Sequence, residues 1–410
     1  MSPTAFWVKI GAPKNPKIIL KYISAIPLIA VATFFYIRFP VAVILIALII
    51  STTLVGSDSA AKYLTVIILT SILSWINSGK YLSGDLTWYY DHFILLNKIP
   101  LTSYLGSTVN QFTIKAREPF YYTVSFIISR LSNGNLIFLN LFITAWLYLL
   151  TGISFSKIVS SANLPRVRAM AAVIAAMLTG VTFSLTTHLV RQEFAAAALL
   201  CCAVSLFYNH KKLVLIFGLI SATSHESAYI PLSCLFIGFY FTKFKNPSKK
   251  LNLIFFITFL LIFLGAGLYY SNSIAFDSPY QRIRSDGEIS LAVMLLDAAL
   301  YTIVILHALH TKNQCIKNVA LIVALYFAFL IGVSASPLPF LRMYFYIDIV
   351  RGCEVAYISI ILLRSSYGIL FIAPVVIIST LYAELRIISS GFYYYGGGII
   401  NHLLLPVFFM

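Results

Sequence analysis

Apolar segments of roughly membrane-crossing length follow one another along almost the whole chain, and no other feature constrains its fold as strongly. The runs cover residues 22–37, 41–55, 63–76, 136–153, 169–189, 194–208, 213–222, 228–241, 253–270, 289–309, 319–333, 344–363 and 368–382. A helix that crosses the bilayer core needs ~20 apolar residues. The runs show no period-two alternation, and in lipid only helices and closed barrels satisfy their own backbone groups, so they read as helices. The expected fold class is an all-α polytopic membrane protein with about 11–13 transmembrane helices. Composition agrees: 60% of the residues are apolar, 10% are charged and the mean hydropathy is +0.91. A soluble domain carries roughly 25% charged residues. One integral membrane domain is expected over residues 1–410.

Charge then orients the runs. Cytoplasmic loops of membrane proteins collect Lys and Arg. With the N-terminus inside and every run crossing, the inner side gathers Lys9, Lys14, Lys17, Lys21, Lys157, Lys211, Lys212 and the cluster Lys243, Lys245, Lys249 and Lys250. The outer side is richer in arginine, including Arg117, Arg191, Arg282, Arg284 and Arg342. The net charge of +16 is therefore a topology signal, and no basic block with interleaved aromatics points to nucleic acid. The first apolar run lacks a small-residue cleavage site and is followed at once by another, which reads as an uncleaved anchor. Cys201, Cys202, Cys234, Cys315 and Cys353 form no C-x-x-C pair. They read as small hydrophobes, with no metal site, disulfide framework or cofactor expected.

Two outer segments are long enough to carry function. Residues 77–135 hold Asp85, Trp88, Tyr89, Tyr90, Asp91, His92, Lys115, Arg117 and Glu118. Within this segment Phe120, Val124, Ile127, Ile128 and Leu131 recur at helical spacing, so Pro119–Leu131 is expected to be an amphipathic helix lying in the interface. Residues 271–288 form the second segment, with Asp277, Arg282, Arg284, Asp286 and Glu288. The tail beyond Arg386 is aromatic and glycine-rich.

The runs 213–222 and 228–241 lie between two inner lysine clusters, and each is too short to span the bilayer at 1.5 Å per residue. A broken, re-entrant hairpin is expected, with His225, Glu226 and Ser227 at its tip. Non-helical backbone at depth is tolerated where it lines a polar cavity, so the tip implies a cavity open to the outside.

Ionisable groups in membrane segments are expensive and tend to have a partner or a function. Arg191 and Arg342 fall at the outer ends of their helices, where an anionic headgroup would lie. Arginine suits phosphate because its planar fork bonds bidentately and stays ionised. The bland alternative is that each snorkels to ordinary lipid phosphates. His225 beside Glu226 at a helix break suggests a general base, against the alternative of a satisfied core histidine. Asp348, Arg351 and Glu354 share one helix face. They are explained by mutual neutralisation, with Asp297 as a further partner for Arg351. Asp85, Asp91 and Glu118 are candidate bases or sugar-binding groups, and Trp88 and Tyr89 offer faces to sugars or to an aromatic belt.

The order of these motifs resembles a known family. Gly84, Asp85, Leu86, Thr87, Trp88, Tyr89 and Tyr90 form an acidic-aromatic stretch, followed by Glu118, Pro119, Phe120, Tyr121 and Tyr122. Arg191 then opens a small-residue run, and Ser224, His225, Glu226, Ser227 and Ala228 precede Phe340, Leu341, Arg342, Met343 and Tyr344. The chain resembles the EpsG-like and Wzy-type polysaccharide polymerases, the group that includes bacterial O-antigen polymerases.

The resemblance implies a multi-pass protein of the bacterial inner membrane whose site faces the periplasm. It would transfer an undecaprenyl-pyrophosphate-linked glycan chain onto a lipid-linked repeat unit, as in lipopolysaccharide biosynthesis. Partners would be that lipid-linked oligosaccharide, membrane lipid and a chain-length regulator protein. His225, Glu226 and Asp85 would serve catalysis, Arg191 and Arg342 the pyrophosphate, and Trp88, Tyr89, Asp91 and Glu118 the sugar or acceptor. The rivals are a flippase of lipid-linked oligosaccharide and a serotype-converting glycosyltransferase that uses an undecaprenyl-phosphate sugar.

Overall fold

A computed structural model describes residues 58–78, 85–106, 118–181, 190–243, 249–277, 291–310 and 314–389. The first two apolar runs, the N-terminal lysines, most of the second outer segment and the tail beyond residue 389 lie outside them. The described residues are helical throughout, joined by turns and two short 3₁₀ stretches, which gives an all-α membrane fold. In chain order the helices are α1 (Asp58–Ser78), α2 (Asp85–Lys98), α3 (Leu101–Gly106), α4 (Pro119–Leu131) and α5 (Leu136–Ser160). There follow α6 (Arg166–Thr179), α7 (Val190–Phe207), α8 (Lys211–Ser224), α9 (Tyr229–Lys243) and α10 (Lys249–Asp277). The last are α11 (Leu291–His310), α12 (Gln314–Val333), α13 (Pro337–Tyr344), α14 (Tyr346–Arg364) and α15 (Ile372–Ser389).

Five described helical stretches are long and apolar enough to cross a membrane: Leu136–Ser160, Val190–Phe207, Ile254–Ser271, Leu291–Ala308 and Gly368–Arg386. Run 169–189 is helical only as far as Thr179 within α6, and residues 182–189 are not described. α10 continues to Asp277, so its last turns enter the expected second outer segment, while its membrane-length stretch ends at Ser271.

Burial sorts the helices into a centre and a lipid-facing rim. In α7, 72% of the membrane-length window is buried, against 17% for Ile254–Ser271 in α10. The α7 stretch 195–198 is four alanines and α6 is similarly alanine-rich, so neighbouring helices approach these two closely from every side. On α10, Ile254, Leu261, Ile262 and Tyr269 face outward, as bilayer contact requires. α10 meets α12 where Gly267 and Gly332 face each other: a Cβ on Gly332 would lie 3.0 Å from the Gly267 Cα, so only hydrogen fits.

Arg351 is fully buried on α14. Its guanidinium forks onto Asp297 of α11, with Nη2 2.8 Å from Oδ2, and also meets Asp348 Oδ1 at 2.8 Å. Tyr344 donates to the same Asp297 carboxylate at 2.5 Å. This is the neutralising role read from the sequence. It ties α11 to α14 in a low-dielectric interior where an unpaired charge would be prohibitive.

α2 and α4 fold down onto the bundle. Leu86, Tyr89, Tyr90 and Phe93 of α2 pack with Tyr121 and Tyr122 of α4 against Leu139 and Ile143 of α5 and Val190 and Phe194 of α7. α4 spans the predicted Pro119–Leu131, with proline at its start where no N–H is needed. It ends in a turn through Asn133 (φ 53°) and Gly134 (φ 71°), and the Asn135 side chain caps α5 through Ile137 N. The aromatic cluster thus holds the first turns of α4 and α7 at the same end of the molecule.

Candidate functional site

The hairpin break falls where the short runs placed it. α8 ends at Ser224, His225 is extended (φ −156°, ψ 132°), and a 3₁₀ turn over Glu226–Ala228 leads into α9. The backbone can break here because His225 supplies its own cap: its Nδ1 accepts the Ser227 N–H at 3.1 Å. The Ser227 hydroxyl lies 2.6 Å from the same nitrogen and 2.9 Å from the Tyr346 hydroxyl of α14. The break is buttressed from both sides.

Arg191, in the first turn of α7, points at the same place. Its Nη1 meets Glu118 Oε2 at 2.5 Å and the Tyr122 hydroxyl at 3.3 Å, and its Nε reaches the Tyr89 hydroxyl at 3.4 Å. The guanidinium also stacks near Trp88, 5.5 Å from the ring centre, and near Tyr122 at 5.9 Å. Glu118 is the N-cap residue of α4 but makes no side-chain cap bond. Its carboxylate is turned to Arg191, accepts the backbone N–H of Glu226, and lies 3.6 Å from His225 Nε2.

Three stretches far apart in sequence therefore converge on one carboxylate: α4, α7 and the hairpin tip. Arg342 joins from α13. Its backbone carbonyl accepts from Gln192, the residue after Arg191, and its charge, like that of Arg191, acts on the His225 ring. The Arg342 side chain is exposed.

These contacts set protonation. Burial and the two arginine charges push the His225 imidazole down to about 3, so the ring is neutral. A neutral ring has one N–H, and Nδ1 already accepts from the Ser227 backbone, so the proton sits on Nε2 and faces Glu118. Nδ1 is thus occupied as a cap, and Nε2 is the nitrogen turned toward Glu118. Burial raises the Glu118 carboxyl above the ordinary range, with Arg191 opposing the shift. His92, stacked on Trp88 at 5.3 Å, is pushed down to about 4 by burial and by Arg191.

The remaining expected site residues divide. Glu226 is exposed at the tip and contributes its backbone N–H to Glu118. Trp88 and Asp91 are exposed one turn apart on α2, whereas Tyr89 is buried and engaged with Arg191. Asp85 begins α2. Gln192 and Tyr346 belong to the site but were not singled out from the sequence, and Tyr122 and Ser227 appeared there without a role.

A cavity of about 890 Å³ lies on the far side of Tyr346, between α7, α9, α11, α12 and α14. It runs past Leu200, Val323 and Cys353 toward Phe207, Tyr208 and Arg364. His225 and Glu226 do not line this cavity. At the tip itself, Glu118 accepts the backbone N–H of Glu226.

A family model described as the EpsG family matches residues 62–402 of the chain. No curated protein and no solved structure matches it.

Proposed function

The chain belongs to the EpsG family, and we propose that it is a polysaccharide polymerase that transfers an undecaprenyl-pyrophosphate-linked glycan chain onto a lipid-linked repeat unit. The family makes it a glycosyltransferase-like membrane protein. In this reading it sits in the bacterial inner membrane, with the Glu118–Arg191–His225 cluster facing the periplasm, where it works in O-antigen or related polysaccharide synthesis alongside a chain-length regulator.

The observation that carries the reading is the convergence of Arg191, Glu118, the His225 tip and Arg342 at one end of the bundle. Glycosyl transfer from a pyrophosphate needs cations for the leaving group and a base for the acceptor hydroxyl. Arg191 and Arg342 supply the cations, which count most as charge develops on the departing pyrophosphate. Glu118 supplies the base, its pKa raised toward working pH by burial. His225 Nε2 stands 3.6 Å from the Glu118 carboxylate, and the exposed Trp88 and Asp91 offer a face and an acceptor to the sugars.

The test is chain extension by the purified protein, given a synthetic undecaprenyl-pyrophosphate repeat unit. Ladders of extended product with release of undecaprenyl pyrophosphate are expected. A protein that moves the lipid-linked unit across vesicles without joining units would be a flippase instead.

A further inference from the structure

The pocket that holds the Glu118 carboxylate is built like an anion site. Its donors are the Arg191 guanidinium at 2.5 Å and the backbone N–H of Glu226, and His225 Nε2 stands 3.6 Å away. The Glu226 N–H comes from the helix break between α8 and α9. Glu118 has a second place to go. It stands at the N-cap of α4 with φ −129° and ψ 53°, and the first-turn N–H groups it would normally cap receive no bond from it.

We propose that this pocket is a phosphate site occupied by the protein's own carboxylate, and that an incoming pyrophosphate displaces Glu118 from Arg191. The inference rests on the polymerase reading for the identity of the phosphate compound, a polyprenyl pyrophosphate ester. A pyrophosphate carries more charge than a carboxylate and bonds a guanidinium bidentately, so it competes well for these donors. Arg342, whose charge already reaches His225, adds to the attraction.

Displacement has a chemical consequence. Arg191 is the main influence that lowers the Glu118 pKa, set against burial, which raises it. Once the phosphate takes Arg191, that opposition weakens and the carboxylate becomes a stronger base. Donor binding thus readies the base. The acceptor hydroxyl then gives its proton to Glu118 while its oxygen bonds to the anomeric carbon of the donor sugar. The carbon–oxygen bond to pyrophosphate breaks, and its electron pair leaves with the polyprenyl pyrophosphate held by Arg191.

The experiment is calorimetric titration of the full chain in lipid nanodiscs with inorganic pyrophosphate, comparing wild type with Glu118→Gln and Glu118→Ala. Removing a like charge from an anion site should tighten pyrophosphate binding at least about tenfold in both variants. Adding Arg191→Ala should abolish the gain. Weaker or unchanged binding by Glu118→Gln, in protein with wild-type thermal stability, overturns the proposal. Because no sugar is involved, this outcome is separable from the polymerase reading. Tightened binding in a chain that extends nothing leaves the anion site standing and removes the polymerase, and the reverse pattern does the opposite.

Discussion

Glu118 and Arg191 stand 73 residues apart in the chain and 2.5 Å apart in space, and the glutamate forgoes capping its own helix to make that contact. The arginine in turn lies between Trp88 and Tyr122 and within reach of the Tyr89 hydroxyl. A residue so enclosed is held in one geometry. Arg191→Ala should lower chain extension by about 10²–10³-fold, the usual cost of losing one preorganised oxyanion donor. Arg191→Lys should recover only part of it, because an ammonium lacks the planar fork. Extension ladders from purified protein of equal expression make the comparison, and full activity in the Lys variant would reduce the role to charge alone.

Glu118→Gln keeps the shape of the site and removes the base. Loss of about 10²–10⁴-fold is expected. In the wild type, activity should fall as pH drops through the Glu118 pKa. Since burial raises that pKa, the acid limb should lie above the ordinary carboxylate range. The sign follows from the active form being the carboxylate, which is lost on protonation. A wild-type acid limb at the position of an unperturbed carboxylate would contradict the assignment.

For His225 the outcome depends on donor against acceptor. The Nε2–H faces Glu118, and glutamine also presents an N–H at similar reach. His225→Gln should therefore stay within about tenfold of wild type, whereas loss of a true base would cost about 10²–10⁴-fold. His225→Ala should be far worse than Gln, since it removes both the donor and the cap on Ser227 N. Equal, severe losses in both variants would return His225 to the list of bases.

The hairpin topology is open to cysteine labelling in a background cleared of native cysteines. Ser224 and Ser227 are buried and make poor reporters, but Glu226 is exposed at the tip and Lys211 at the base of α8. Glu226→Cys should react with an impermeant thiol reagent from the periplasmic side and Lys211→Cys from the cytoplasmic side. Labelling of both positions from one side would refute the arrangement.

Arg351 makes a prediction about stability alone. Asp297→Ala leaves a buried guanidinium short of a partner and should destabilise the chain by about 3–5 kcal/mol. Thermal unfolding in detergent measures it. A neutral, similar-sized pair at both positions should recover much of that loss, as buried ion pairs are often replaceable by apolar side chains.

Much of the fold was legible because it is encoded locally. The spacing of Phe120, Val124, Ile127 and Leu131 gave α4 its bounds, and two runs too short to cross gave the hairpin its break at His225. The cost of burying Arg351 pointed to a nearby carboxylate, and Asp297 is one. The site was legible only as an inventory of residue types. No periodicity records that Glu118 meets Arg191, because the pairing depends on how α4 lies across the first turn of α7. The tautomer of His225 was beyond reach for a similar reason. It is decided by the N–H of Ser227, a backbone group whose direction exists only once the chain has broken there.

The two sides of the Glu118–Arg191 contact are anchored very differently. Arg191 rides on a helix enclosed at the centre of the bundle, whereas Glu118, Trp88 and Asp91 ride on two short helices laid over its end. Changes among the exposed residues of α2 and α4 can remodel what is recognised while the cationic half of the site stays in register. If the chain is the proposed polymerase, it can diversify its choice of sugar at the periphery without rebuilding the machinery that would release the carrier.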